Sequence, residues 1–155
     1  MRIRLLCQGD LEGVVRIQNS SRLAAAWGEA DYERLAGDPG GMVLVAELEG
    51  SRLPVLLGFA AFHWLGEEAE LWNLAVAPRH QRQGVAKALF EEARRRLLQT
   101  GVARIFLEVR ASNAPALEFY RTAGFKTLMR RRDYYRNPSE DALVLSLNLV
   151  PCSGN

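Results

Sequence analysis

Asn73-Leu74-Ala75-Val76-Ala77-Pro78-Arg79-His80-Gln81-Arg82-Gln83-Gly84-Val85-Ala86-Lys87-Ala88-Leu89 changes character twice. An apolar strand stops at Pro78, which cannot continue a ladder. A basic polar loop follows, and a helix starts at Gly84. The first N–H groups of a helix have no intrahelical partner, and the dipole there is positive. Such a start suits an anion, phosphate above all. Gly84 has no side chain to block an incoming ligand, and small Ala86 keeps the next turn open. Arg79, Arg82 and Lys87 add formal charge. A plain helix start with solvated basic residues fits the same stretch. Neither GxxxxGK[ST] nor GxGxxG is present, which excludes a Walker P-loop and a dinucleotide fingerprint.

Working outward, Gly84 to Leu98 predicts a helix, with Val85, Leu89, Ala93 and Leu97 on one face and Gly101 beyond its end. Arg104 to Val109 predicts a strand with Ile105, Leu107 and Val109 on one side. Asn113 to Thr122 predicts a helix with Pro115 in its first turn, ended by Gly124. Phe125 to Asp133 and Ala142 to Leu149 predict two more strands. Upstream, Met42 to Leu48, Val55 to Trp64 and Ala69 to Val76 form an antiparallel meander with turns at Glu49-Gly50-Ser51 and Gly66-Glu67-Glu68. Arg2 to Leu6 reads as a first strand. Helices follow from Gly9-Asp10, with Leu11, Val14, Val15 and Ile17 apolar, and through Glu29 to Leu35. Strand–helix–strand over Ala69 to Val109 requires a parallel pair with a crossover.

The chain has 155 residues, 48% apolar and 25% charged, with net charge +2. These values exclude a disordered, collagen-like or rod-like chain. Residues 1–150 are expected to form a single domain, with 151–155 a tail. Cys7 and Cys152 lie near opposite ends, make no CxxC or zinc pattern, and read as buried thiols in a reducing compartment. His63 and His80 are too isolated for a metal site. The N-terminus does not read as a signal peptide, and Leu53 to Leu65 is too short to span a bilayer. A cytoplasmic location, without membrane or direct nucleic-acid partners, is expected.

Gln81-Arg82-Gln83-Gly84-Val85-Ala86 fits the pattern [QR]xxGx[GA], and on it the chain resembles the GCN5-related N-acetyltransferases (GNAT). The resemblance implies an α/β fold: a mixed, twisted central sheet of about seven strands flanked by about four helices. A splayed strand pair would bind acetyl-CoA. It implies that Leu74, Ala75 and Val76 hold the pantetheine arm, and that Arg82, Gln83, Gly84, Val85, Ala86 and Lys87 hold the pyrophosphate. Asn113 would also bond the cofactor, while its position equally suits a helix cap. Leu107-Glu108-Val109-Arg110-Ala111-Ser112-Asn113, then Phe119-Tyr120, Gly124-Phe125 and Arg131-Arg132-Asp133-Tyr134-Tyr135, are similar to the RimI type of this family, the bacterial ribosomal-protein alanine N-acetyltransferases.

An N-terminal amine has a pKa near 8 and must lose a proton before attacking a thioester. The resemblance assigns that base to Glu108 and the acid that reprotonates the thiolate to Tyr120. The residues alone leave other readings open: Glu108 as a surface carboxylate paired with Arg110 or Arg104, and Tyr120 as a core aromatic beside Phe119 and Phe125. Trp27, Tyr134 and Tyr135 are expected to bind the substrate. The type usually carries Phe-Pro-Trp where Ala25-Ala26-Trp27 stands, and proline where Arg136 stands, which touches the acceptor rather than the cofactor loop. Glu67, Glu68, Glu70, Glu29 and Asp31 could form an acidic rim for a basic peptide. The implied partner is the N-terminus of a ribosomal protein, the implied state a monomer or weak dimer. Direct transfer without metal is favoured over an acetyl-enzyme. A small-molecule amine acetyltransferase and a non-catalytic acetyl-CoA-binding module are the alternatives.

Overall fold

The computed structural model describes residues 1–21 and 26–149. The elements run β1 (Arg2–Leu5), α1 (Leu11–Asn19), α2 (Glu29–Gly37), β2 (Gly41–Glu47), β3 (Leu56–Leu65), β4 (Glu68–Val76), α3 (Val85–Gln99), β5 (Arg104–Arg110), α4 (Ala114–Thr122), β6 (Lys126–Tyr135) and β7 (Glu140–Asn148). Short 3-10 turns at Gln8–Asp10 and Pro78–His80 precede α1 and α3. The seven strands form one mixed sheet in the order β1-β2-β3-β4-β5-β7-β6. Only β4 and β5 pair in parallel.

Strand alternation divides the interior between two faces. Met42, Leu44 and Ala46 of β2 join Val85, Leu89, Phe90, Ala93 and Leu97 of α3 in one core, with Ile105, Leu107 and Val109 of β5. Val43 and Val45 point the other way, against Leu11, Val14 and Ile17 of α1 and Tyr32 and Leu35 of α2. This second core takes no residue from β5, β6 or β7. The opposite face of those strands, where Phe106 and Glu108 point, therefore lies outside it.

One irregularity shapes everything that follows. Ala61 of β3 faces Asn73 and Phe62 faces Leu71, so Trp72 is an extra residue, a β-bulge in β4. Alternation reverses there. Leu71 packs in the α3 core, and so do Leu74 and Val76, whereas Ala75 packs in the α1–α2 core. Asn73 is turned to that same side, toward Gln18 and Tyr32.

Three sequence expectations need adjustment. Cys7 is exposed rather than buried: it caps the 3-10 turn that leads out of β1, and its N–H donates to Asp10 Oδ2 at 2.7 Å. β6 runs two residues past Asp133, because the ladder breaks after Arg131 and resumes where Tyr135 meets Glu140. The turn into β7 is correspondingly shorter than expected. Cys152, the 151–155 tail and Ala25 lie outside the described residues.

Candidate active site

The β4–β5 ladder holds only three pairs, Glu68–Arg104, Ala69–Ile105 and Glu70–Phe106. Beyond it β4 continues to Val76 and β5 to Arg110 without pairing. Two clefts open into this V. The first, about 550 Å³, is lined by Leu74, Ala75 and Val76, by Arg82 and Gly84 to Lys87, and by α4. The second, about 430 Å³, is lined by Trp72 to Leu74, by Leu107 to Arg110, and by Ala26, Asn113 and Tyr135. Leu74, Ala116 and Tyr120 belong to both.

At the mouth of the first cleft the loop is built to expose amides. Arg82 has φ +61° and Gly84 φ +81°, both in the left-handed region. Gly84 is the N-cap of α3, no side chain caps it, and the first turn carries no acid. A Cβ on Gly84 would meet nothing within 4 Å, so dihedral angle rather than crowding calls for glycine there. α4 differs: Asn113 Oδ1 accepts from the Ala116 N–H at 3.3 Å. α2 differs too, since Asp31 accepts from the Gly28 N–H at 2.9 Å. The α3 start thus keeps donors and dipole free for an anion. Gln83 turns aside and donates to the Arg79 carbonyl, while Gln81 donates to that of Val76, both at 3.2 Å. Val85, Ala86 and Lys87 line the cleft.

Tyr120 stands where the clefts meet. It is buried at 8% exposure, with its ring edge-on to Phe119 and Phe125 at 5.3 and 5.4 Å. It packs as a core aromatic, one of the two sequence readings, and it also lines both clefts. Burial pushes its phenol well above the ordinary value, so the hydroxyl keeps its proton at neutral pH.

Glu108 lines the second cleft, one-third exposed. It pairs with neither Arg104 nor Arg110. Arg110 is drawn across β7 to Glu140 at 3.5 Å and covers the Tyr135 ring at 4.2 Å. Arg104 lies over Phe106. The cation on Glu108 is Arg131, with Nε 3.1 Å from Oε1. The Tyr134 phenol hydrogen-bonds the same carboxylate, which pushes its pKa up. Tyr135 lines the second cleft and packs edge-on against Tyr134. Asn113 lines this cleft, not the first.

Trp27 is half-buried against Tyr32 and Trp72, at ring distances of 5.2 and 5.4 Å. Its backbone is held at both ends: Gln18 Nε2 donates to its carbonyl at 2.8 Å, and its N–H donates to Gln18 Oε1 at 3.3 Å. Gln18 also accepts from the Tyr32 hydroxyl, and Asn73 Nδ2 donates to that hydroxyl at 2.8 Å. This buried polar knot ties α1, α2 and the bulge to the wall of the second cleft. Sequence reasoning missed it, although a signal existed: Gln18 falls four residues after Val14, on the apolar face of α1. Trp72 gave no such signal. It stacks on His63 at 4.9 Å and donates to Glu70 at 2.8 Å. Of the expected acidic rim, Glu70 and Asp31 are thus already engaged within the chain.

Among the described residues no helix is long and apolar enough to cross a membrane. Residues 11–125 match the acetyltransferase (GNAT) family. The chain is 43% identical over 94 residues to the [ribosomal protein bS18]-alanine N-acetyltransferase of Escherichia coli K12, a match covering 59% of this chain and 64% of that protein's length. It is 33% identical over 147 residues to the protein of the same name from Salmonella typhimurium LT2, covering 94% and 95%. Among solved structures, the ribosomal-protein-S18-alanine N-acetyltransferase from Escherichia coli superimposes with TM-score 0.84 at 32% identity, covering 99% of this chain and 97% of that one.

Proposed function

We propose, from the premise that the chain belongs to the acetyltransferase (GNAT) family, that it moves an acetyl group from acetyl-CoA to the α-amine of a protein N-terminus. The acceptor we propose is the N-terminal alanine of a small-subunit ribosomal protein, as in the names its relatives carry. The observation that carries the reading is the position of Tyr120 at the junction of two unlike clefts. One cleft ends in helix amides whose first turn carries no acid, and the other presents the Glu108 carboxylate.

The first cleft fits acetyl-CoA by the chemistry of its donors. The uncapped amides of Val85, Ala86 and Lys87 suit a pyrophosphate. The edge of Leu74 to Val76 left unpaired toward β5 suits the amides of a pantetheine arm. When bound, acetyl-CoA supplies the activated thioester. The chain's residues supply position and proton transfer. Glu108 takes a proton from the acceptor ammonium, directly or through a water, which frees the nitrogen lone pair to attack the carbonyl carbon. As the carbon–sulfur bond breaks, Tyr120 gives its hydroxyl proton to the leaving sulfur, and the surplus proton on the new amide nitrogen returns the phenolate to its neutral form. Trp27, Tyr134 and Tyr135 flank the acceptor, and a cytoplasmic location fits this chemistry.

A thiol-release assay tests the proposal. It uses acetyl-CoA with short peptides differing only at residue one, and spermidine and an aminoglycoside as rival acceptors. Turnover confined to peptides with a free N-terminal alanine is expected. Turnover on the small amines alone would move the protein to metabolic amine acetylation, and none at all would leave a binding module. Glu108→Gln is expected to lower kcat/KM about a hundredfold, with acetyl-CoA affinity unchanged.

A further inference from the structure

The geometry points to Arg131 as a displaceable counter-ion: its guanidinium occupies the Glu108 carboxylate until a cationic acceptor replaces it. This rests on Glu108 being the group that meets the acceptor amine.

Arg131 does not reach Glu108 by simple pairing. It is opposite Ala142 of β7, which is opposite Arg110 of β5, two residues along from Glu108. The ladder places Arg131 on the same face as Arg110 and Glu108, and its guanidinium spans the diagonal across β7. Between Arg131 and Tyr135 the β6–β7 register breaks, and Asp133 sits at φ +49°. Asp141 clamps this stretch, accepting from the Asp133 N–H at 2.9 Å and from Arg130 Nε at 2.5 Å. Arg130 is thereby committed to Asp141, and its neighbour is aimed at the cleft.

The contact is built to be given up. The Arg131 side chain is 48% exposed, so leaving Glu108 returns it to water at little cost. It also lies 5.7 Å from the Tyr134 ring, a face over which a released guanidinium can rest. The other groups around Glu108 do not compete for this role. Arg110 is held by Glu140 and Tyr135, and the other polar groups lining this cleft, among them Ser21, Asn73, Asn113 and the phenols of Tyr120 and Tyr135, carry no positive charge. Among the described residues, the carboxylate of the free protein thus faces one removable cation. An incoming ammonium exchanges with it like for like. An uncharged ligand must break the pair and offers no charge in return. Once Glu108 takes a proton it is neutral, and nothing draws Arg131 back until that proton has left.

The test uses the full chain with coenzyme A bound, as wild type, Arg131→Gln and Arg131→Lys. Calorimetry measures affinity for a peptide with a free N-terminal amine, and NMR follows the Arg131 Nε resonance as peptide is added. Removing the competing cation should tighten peptide binding in Arg131→Gln by up to about fivefold. Arg131→Lys, which keeps the cation, should stay near wild type. In the wild type, saturating peptide should shift the Arg131 Nε resonance. Weaker binding in Arg131→Gln would make Arg131 an attractive contact to the peptide and overturn the inference. If the wild type binds no peptide, the acceptor proposed above is wrong. The ion pair is then judged on the Arg131 Nε resonance of the free protein, where no difference between wild type and Glu108→Gln overturns it and a shift upholds it.

Discussion

The two clefts that meet at Tyr120 are made in opposite ways. The first is written largely in consecutive residues, Leu74 to Lys87, and works through backbone: a strand edge, two left-handed residues and an uncapped helix. The second is assembled from Ala26, Trp72, Glu108 and Tyr135, far apart in sequence, and works through side chains. A ligand common to a whole family can be met by backbone, which survives drift of the side chains. An acceptor that must be told apart from others is met by side chains, and these are free to differ.

Changes to the shared point, and then to each cleft alone, put this division at risk. The largest effect is expected at the junction. Tyr120→Phe should lower kcat by about a hundredfold or more while the affinities for acetyl-CoA and peptide stay as they were. A loss of either affinity would show that Tyr120 belongs to one cleft rather than both. Next is the polar knot. Gln18→Leu strands the Tyr32 hydroxyl and the Trp27 backbone, at a cost of about 1–3 kcal/mol. In the assay KM for the peptide should rise, with acetyl-CoA affinity unmoved. Gly84→Ala is the mirror experiment. It forces a side chain to φ +81°, costing about 1–2 kcal/mol, and should weaken acetyl-CoA binding with no change in peptide affinity.

The smallest effect is one of pH. Burial raises the phenols of Tyr120 and Tyr32, the latter to about 12. Above pH about 10 the unfolded chain sheds these protons first. The associated stability is therefore complete below that pH and is lost as pH rises further. Denaturation at pH 9 and pH 11 should show a fall that is smaller in Tyr32→Phe.

The same division explains what was legible in the sequence. Period-two and period-four patterns gave the strands, the helices and their order, because each element buries a face it carries itself. The uncapped start of α3 was legible for the same reason, being local. Glu108 and Tyr120 were found through family motifs, but the partner of Glu108 was misassigned. Alternation puts Arg104 and Arg110 on its face, whereas the real partner comes from β6, two strands away across β7. The bulge at Trp72 left no mark, since WNLAV reads as an uninterrupted strand. Asn113 was read with the cofactor, yet its place is set by the turn between β5 and α4, which opens on the second cleft.

The short ladder between β4 and β5 also has a mechanical meaning. In backbone pairing the sheet is two plates, β1 to β4 and β5-β7-β6, riveted at one end by three residue pairs. The open ends form an edge in the middle of the protein, where no second chain can extend it as it could an outer strand. A molecule laid along that edge acts as a wedge under tension, fixing the angle between plates while touching little of either. Force applied across the V should meet more resistance when it is filled, and amide exchange should slow in β7, which a bound molecule need never touch.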